Sequence, residues 1–406
     1  MRGLSVQPAV GLLALLLLAG CVSKSVTSTR VPAIETPDTP VPEELLLDVG
    51  VIVFDPGLDA LEDEPDIPVY PEVRRAEALF LPNQLTVALQ DSGAWGAVRV
   101  LPDEEQSSDL LVHGKILHSD GETLKLAITA VDSRGVTWLE ETYKGTASGY
   151  AYSVTSRTEI DPFQAVYHTI ANDLLQAMQS IPAEDRREVR LVTELRIARS
   201  FANEAFGGYQ DEEDRGRYTI MRLPAEQDPM LARVRKIRER DHLFIDTLQD
   251  YYVNFDDIMT QPYNEWRKLS YEEVIAIREL KAESMRDMIT GVVAVLGGIA
   301  AQIEGDHPAS RAAGQVAVLG GAYILKSGLY KRNETQIHVA ALEELGMSLE
   351  AEIAPKIIEV EDRTVTLSGS VEEQYAQWRV LLADIYRTEI GELEAMSAEA
   401  AGPDTL

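Results

Sequence analysis

Three alternating segments joined by two tight turns constrain the fold more than any other feature of this sequence. Residues 109–118, 122–131 and 136–144 alternate apolar and polar side chains, the pattern of strands with one buried face. The connections at 119–121 (Ser-Asp-Gly) and 132–135 (Asp-Ser-Arg-Gly) are rich in residues that favour turns. Short turns between alternating strands predict an antiparallel meander.

The segments on either side complete a predicted α/β domain. The apolar, β-branched run at 45–54 and the segment 95–101 both read as strands. Apolar residues at helical spacing predict one helix over 72–90 and another over 161–180. The predicted order β-α-β-β-β-β-α over 45–181 suits one sandwich of helices on a sheet.

Short strings in this region carry a family resemblance. They are VGVIVFDPG (49–57), RRAEALFLPNQLTVAL (74–89), SGAWGAVRVLP (92–102), SDLLVHGKI (108–116) and AVDSRGVTWLEETYKG (130–145). Together they resemble the periplasmic α/β domain of the CsgG-like and TolB-N-terminal-like lipoproteins. The positions that match the pattern of that group are Asp109, Gly114, Asp132, Gly135 and Trp138. The long membrane-inserting strands of its pore-forming members are not recognisable, which puts pore formation by that route in doubt.

The N-terminus has the features of an export signal. Arg2 precedes the apolar run 10–18, which is too short for a comfortable membrane span, so residues 1–20 read as a signal peptide. The string Leu-Ala-Gly-Cys that ends at Cys21 closely resembles the lipobox of bacterial lipoproteins. In that family the cysteine thiol receives a diacylglyceryl group and the signal is cut before it. The alternative is an ordinary signal peptide followed by an incidental cysteine.

The resemblance to lipoproteins also implies a location and a membrane partner. Val22 stands where an aspartate would be the usual retention signal for the inner membrane in enteric bacteria. The implied destination is the outer membrane, where the lipid on Cys21 would hold the protein on the periplasmic face. Residues 21–44, with hydroxyl side chains and then several prolines, are predicted to form an extended, lipidated tether.

Charge and cysteine content exclude several classes of protein. The net charge is −30, which argues against a nucleic-acid partner because phosphate would be repelled. Cys21 is the only cysteine, which rules out an intramolecular disulfide and a cysteine-rich metal site. None of the six histidines has a recognised zinc spacing, and His113 and His118 are expected on opposite faces of their strand. We predict no enzymatic activity, no metal and no cofactor.

Two runs without charge mark the second half of the chain. Residues 182–270 are predicted to form a helical connector, and residues 271–354 a long helical hairpin. The charge-free runs, 288–303 and 312–325, share the string VAVLGG and are separated by a turn. Residues 355–406 are predicted to form a small strand-helix element that closes an α+β chain.

Small side chains recur at intervals of three and four residues along this predicted hairpin. They are Gly291, Ala294, Gly298, Ala301 and Gly305 on the first helix, and Ala313, Ala317 and Gly321 on the return. Glycine inside a helix costs about 1 kcal/mol relative to alanine, so repeated glycines suggest close approach between helix backbones.

Three interpretations of this hairpin stay open. It could pack inside a soluble helical domain, insert into a membrane like glycine-zipper segments of bacterial envelope proteins, or form an oligomerisation seam. Each run of about 14–16 residues is shorter than the roughly 20 residues that a bilayer requires.

The function that these features favour is structural. We expect an outer-membrane-anchored periplasmic lipoprotein that acts as a scaffold or assembly factor of the cell envelope, with other envelope proteins or copies of itself as partners. The alternatives are an auxiliary binding lipoprotein of an envelope transport or secretion system, and a membrane-inserting hairpin or pore component. An apolar cavity between sheet and helices would favour the binding protein, and an exposed stripe of small residues would favour assembly.

Overall fold

The computed structural model confirms the α+β class. It describes residues 23–59, 70–103, 108–153, 161–213, 216–225, 227–301, 340, 353–360 and 363–400; for residues 277, 280–301, 353–360, 363, 364 and 389–400 only the backbone is described. The helices are α1 (Pro71–Asp91), α2 (Gln164–Ser180), α3 (Ala183–Phe201), α4 (Asn203–Phe206), α5 (Pro229–Ala301) and α6 (Val371–Ala400).

The strands form one large sheet and two hairpins. The large sheet has the order β1-β6-β5-β4-β2-β3. Its strands are β1 (Ser23–Thr27), β2 (Val49–Ile52), β3 (Val98–Leu101), β4 (Leu110–Ser119), β5 (Thr123–Asp132) and β6 (Thr137–Thr146). The hairpins are β7 (Gln210–Glu213) with β8 (Arg217–Ile220), and β9 (Ile353–Val360) with β10 (Arg363–Gly369).

The predicted antiparallel meander forms β4, β5 and β6. Next to it, β2 runs parallel to both of its neighbours, with Val49 opposite Val98 on one side and Leu110 on the other. Burial follows from this arrangement. Strand β5 alternates half-buried and buried residues along its whole length, because helices cover one face of the meander.

The parallel part of the sheet is covered on both faces. Val51 belongs to a core shared with α1 and α2, whereas the next residue, Ile52, belongs to a second core with α3, α5 and α6. Val100 of β3 also lies in the second core. Burial on both faces is typical of parallel strands. Here the second buried face packs the N-terminal domain against the helices that follow it in the chain.

Helix α5 covers the edge of the sheet at β3. The Gln249 side chain accepts a hydrogen bond from the Val100 amide at 2.8 Å and donates one to the Val100 carbonyl at 3.0 Å. The amide side chain therefore takes the place of a neighbouring strand at an edge that would otherwise expose unpaired backbone groups. Beside it, Arg99 forms an ion pair with Asp246 at 2.6 Å.

The tether prediction is corrected for residues 23–44. Residues 23–27 form β1, which pairs in parallel with β6. The following segment is bound to α2, because Asn172 accepts a hydrogen bond from the Glu35 amide at 2.8 Å and donates one to the Ala33 carbonyl at 2.9 Å. His168 contacts the Pro32 carbonyl at 2.7 Å. Polar side chains of α2 thus hold an extended segment that the sequence pattern left free.

Two further expectations change in the middle of the chain. The predicted connector over 182–270 contains the short hairpin β7–β8, which the sequence did not reveal because its mostly exposed strands lack an apolar alternation. The predicted boundary at 270/271 is no helix end, since α5 runs without interruption from Pro229 to Ala301.

The predicted opposite placement of His113 and His118 is also wrong. A β-bulge between Ile116 and His118 shifts the register of β4 against β5. His113 lies opposite Thr129 and His118 opposite Lys125, so both histidines share the half-buried face of the sheet. An extra residue in one strand reverses the alternation beyond it.

The C-terminal element agrees with the sequence. Strands β9 and β10 pair antiparallel, and α6 follows directly. The predicted apolar positions of α6 (Tyr375, Trp378, Leu382 and Ile385) are buried in the second core. No helix in the described ranges is long and apolar enough to cross a membrane.

Candidate functional site

Helix α5 docks on the N-terminal domain through a cluster of buried polar side chains. We call Glu77, Tyr263, Arg267 and their partners Ser119 and Asp161 the helix clamp. Glu77 and Tyr263 have no exposed surface, and Arg267 is 1% exposed. Charged groups at this depth require partners, because removing an unpaired charge from water costs several kcal/mol.

Glu77 of α1 receives hydrogen bonds from two elements that are far apart in sequence. The Tyr263 hydroxyl donates to its Oε1 at 2.7 Å, and the Ser119 hydroxyl donates to the same atom at 2.5 Å. The Arg74 Nε lies 3.9 Å from Oε2. Burial raises the pKa of Glu77, although Arg74 and the two hydroxyls act in the opposite direction. A single carboxyl group thereby joins α1, the end of β4 and α5.

Arg267 is the cationic half of the clamp. Its Nη2 donates to Asp161 at 2.8 Å, and its guanidinium carbon lies 4.2 Å from the centre of the Tyr263 ring. Burial alone would lower the pKa of Arg267, but the Asp161 carboxylate raises it above its ordinary value. The side chain therefore stays charged and holds α5 through an ion pair and a cation–π contact.

The turn between β4 and β5 fits closely against the same part of α5. A Cβ atom at Gly121 would overlap the Arg267 carbonyl oxygen, so only glycine allows this approach. The Gly121 amide donates to the Ser270 hydroxyl at 3.2 Å, and the Tyr152 hydroxyl donates to the Gly121 carbonyl at 2.5 Å. The adjacent Glu122 forms a two-fold ion pair with Arg278, about two turns beyond Ser270 along the helix.

The sequence analysis missed the clamp, although one signal was present. Glu77 follows Val73 by four residues and precedes Leu81 by four, so it occupies the apolar stripe of α1. Likewise, Arg267 follows the buried Tyr263 by four residues on α5. A charged residue at an apolar position of a helix is the pattern that indicates a buried ion pair or hydrogen-bond network.

A second polar cluster joins α5 to α6. The Trp378 indole donates to Asp241 at 3.1 Å. Burial raises the pKa of Asp241 to about 6, against the lowering effect of Arg379, the hydrogen bonds of Trp378 and Tyr375, and Arg238.

The adjacent residue, His242, has the opposite behaviour. Burial lowers its pKa to about 4, and the cations Arg238 and Arg99 lower it further, while Asp48 and Asp246 raise it. Two neighbours in the chain thus have pKa values displaced in opposite directions.

A cavity lies beside the residues that follow β2. It has a volume of about 370 Å³ and is bordered by the residues after β2, by α1, by Tyr252 of α5 and by the first turn of α6. This volume is within the range of small-molecule sites. Its lining includes the apolar side chains Phe54, Leu79 and Val371, and the charged residues Arg75 and Glu372.

The residues singled out from the sequence lie mostly outside the described ranges. Cys21 is outside them, as are Gly305, Ala313, Ala317 and Gly321. The other small residues of the predicted stripe (Gly291, Ala294, Gly298 and Ala301) lie in the part of α5 for which only the backbone is described. Among the described residues there is no group of three His, Cys, Asp or Glu side chains that could hold a metal ion.

Comparison with known proteins leaves the family open. No protein-family model and no curated protein matches this sequence. Among solved structures, the chain is similar to the PelC dodecamer from Paraburkholderia phytofirmans, with 16% identity over 37% of this chain and 96% of that chain. The TM-score is 0.21, so this similarity carries no argument about fold or function.

Replacing Tyr263 by phenylalanine tests the clamp. The change removes the hydrogen bond to Glu77 but keeps the ring beside Arg267, so we expect the free energy of unfolding to fall by about 1.5–3 kcal/mol. Urea unfolding measures this quantity. The control is Tyr150→Phe, at a tyrosine that is 81% exposed, which should change stability by less than about 0.5 kcal/mol. Equal effects of the two changes would contradict the clamp.

Asp241 and His242 make opposite contributions to the pH dependence of stability. The raised pKa of Asp241 gives stability at low pH that is lost as pH rises from 3.8 through about 6. The lowered pKa of His242 gives stability at high pH that is lost as pH falls from 6.5 through about 4. In the wild-type protein the two contributions largely cancel between these values.

Single substitutions should separate the two contributions. Relative to the wild-type protein, Asp241→Asn should gain stability on going from about pH 4.5 to pH 6.5, because only the histidine contribution remains. His242→Gln should lose stability over the same interval, because only the aspartate contribution remains. Urea unfolding at both pH values measures the change, and slopes of the same sign in the two variants would refute the assignment.

Proposed function

We propose that this protein is an outer-membrane-anchored periplasmic lipoprotein that acts as a structural scaffold or assembly factor in the cell envelope. The observation that carries the proposal is the form of α5. It is a single helix of 73 residues, about 110 Å long at 1.5 Å per residue, and its first part is fixed to the N-terminal domain. A long helix fixed to a folded domain is suited to hold one partner at a set distance from another.

The helix clamp supports this proposal because it fixes the helix at a defined place. Contacts to the sheet extend from Gln249 at the edge to Arg278 beside Glu122. Beyond Arg278 the helix backbone continues for 23 residues to Ala301, a further length of about 35 Å. This length includes the predicted small residues Gly291, Ala294 and Gly298, which we propose as the packing surface for a second helix.

The start of the sheet is consistent with direct anchoring. Only Val22 separates Cys21 from the first residue of β1. A lipid on Cys21 would therefore hold the edge of the sheet next to the membrane surface, without a long tether between them. Two or three acyl chains on one cysteine give far firmer attachment than a single chain.

The cavity favours a second function. Of the alternatives, an auxiliary binding lipoprotein is supported by a space of about 370 Å³ between the segment that follows β2 and the helices α1, α5 and α6. Binding and scaffolding do not exclude each other, since the cavity and the distal part of α5 involve different residues.

Metabolic labelling with palmitate tests the anchor. In a bacterial host with the lipoprotein pathway, the wild-type chain should incorporate label and the Cys21→Ser chain should not, because the thiol sulfur is the atom that receives the palmitate-bearing diacylglyceryl group. The matched control is Ser23→Ala, two residues further on, which should be labelled like the wild type. Label in the Cys21→Ser chain, or its absence from the wild type, would refute lipidation at this residue.

Light scattering tests assembly. Residues 21–406 with Cys21→Ser, purified without detergent, should form a defined oligomer. Ala294→Leu should raise its dissociation constant at least about tenfold, because added bulk separates closely packed backbones.

The control for this experiment is Ala300→Leu. It makes the same change on the same helix, about 120° around the axis from Ala294, and should leave the mass unchanged. A monomer at every concentration would refute assembly. Aggregation that only detergent relieves would instead support the membrane-inserting hairpin.

A further inference from the structure

The position of the cavity within the sheet points to ligand binding, an inference that goes beyond scaffolding and does not rest on it. The cavity opens at the carboxyl end of β2, next to Val53, Phe54 and Pro56. From β2 the chain passes through α1 to β3 on one side, and then returns with β4 on the other. In sheets with parallel strands, the crevice at such a change of direction is where ligands bind.

Part of the cavity wall is apolar and held in place. Phe54, Ala78, Leu79 and Val371 contribute side chains from three separate elements. The Phe54 amide donates to the Ala78 carbonyl at 3.0 Å, which fixes the segment after β2 against α1. A preformed apolar wall favours an apolar ligand, because binding then costs little ordering of the protein.

Tyr252 supplies a buried polar group without a partner. Its side chain lines the cavity and is 2% exposed, and its hydroxyl has no hydrogen-bond partner among the described residues. Burial raises the pKa of Tyr252 well above its ordinary value, and the carboxylates of Glu372 and Asp103 raise it further, so the hydroxyl stays protonated and can donate a hydrogen bond to an acceptor. Buried hydroxyls normally have a partner, and a ligand atom would provide one here.

One of the two charged groups of the lining is open to a ligand. Arg75 is exposed, and no ion pair joins it to another residue in the described part of the chain. Glu372 is the acidic residue of the lining, and its carboxylate accepts a hydrogen bond from the Ser370 hydroxyl at 2.8 Å.

We propose that this cavity binds an apolar molecule that ends in a carboxylate, of the class of medium-chain fatty acids. The hydrocarbon chain lies against Phe54, Leu79 and Val371, and the carboxylate meets Arg75 and the Tyr252 hydroxyl. Guanidinium and carboxylate groups match in charge and geometry, which accounts for the choice of an acid over an alcohol.

Calorimetric titration of the lipid-free protein with decanoate tests this site. Residues 21–406 with Cys21→Ser should bind one decanoate per chain. Arg75→Gln should weaken binding at least about tenfold and Tyr252→Phe about fivefold, as expected for the loss of a charged and a neutral hydrogen bond. Ala78→Phe should abolish binding by filling the cavity, and decanol should bind the wild type about as weakly as decanoate binds Arg75→Gln.

Two exposed residues elsewhere provide matched controls. Arg187→Gln and Tyr150→Phe make the same chemical changes outside the cavity and should leave the affinity unchanged. Thermal unfolding of each variant checks that it is folded. Because Arg75 is exposed, its replacement leaves the core intact, and the test does not depend on the folding of Ala78→Phe.

Three results would overturn the proposal. They are the absence of decanoate binding to the wild type, equal affinity of the wild type and both lining variants Arg75→Gln and Tyr252→Phe, and tighter binding of decylamine than of decanoate. The last would assign the cavity to a cation held by Glu372. The mass from light scattering should be the same for Arg75→Gln as for the wild type, so failure of ligand binding is distinguishable from failure of assembly.

Discussion

The buried ion pair between Arg267 and Asp161 is the interaction on which the arrangement of the rest of the chain depends. It fixes the middle of α5, the helix that contacts the N-terminal domain and the C-terminal element alike. The Arg267 Nε and Nη1 atoms have no hydrogen-bond partner among the described residues, and the charge is instead flanked by the rings of Tyr263 and Phe163. Such a pair stabilises one relative position of two elements and penalises every other, because displacement would leave a charge buried alone.

The two cores of the protein meet at β2 as well as along α5. Neighbouring residues of β2, Val51 and Ile52, point into different cores, so a change that shifts this strand is felt by both. The proposed ligand cavity lies at the end of that same strand. A ligand bound there would contact α1, α5 and α6 at once, but it would not contact the distal part of α5.

The regular elements were largely predictable, because a period of two or of about 3.6 residues reveals which side chains are buried. The meander, both helices of the N-terminal domain and the stripe of α6 followed from that pattern. The clamp and the cavity did not, because they depend on contacts between residues more than 100 positions apart, such as Glu77 with Tyr263. The docking of residues 23–44 was hidden for the same reason: Asn172 on α2 holds it by backbone hydrogen bonds, which leave no mark on the apolar pattern.

The side chain of Gln249 has a consequence for how copies of this protein could meet. By occupying the backbone groups of Val100, it closes the sheet at β3, whereas β1 forms the other end of the same sheet and most of its residues are exposed. Of the two edges of this sheet, the one at β1 is therefore the one that could accept a further strand from another chain. Because β1 begins two residues after Cys21, the lipid anchor proposed above would place that addition at the side of the domain next to the membrane, where copies held by the same anchor would be concentrated in two dimensions.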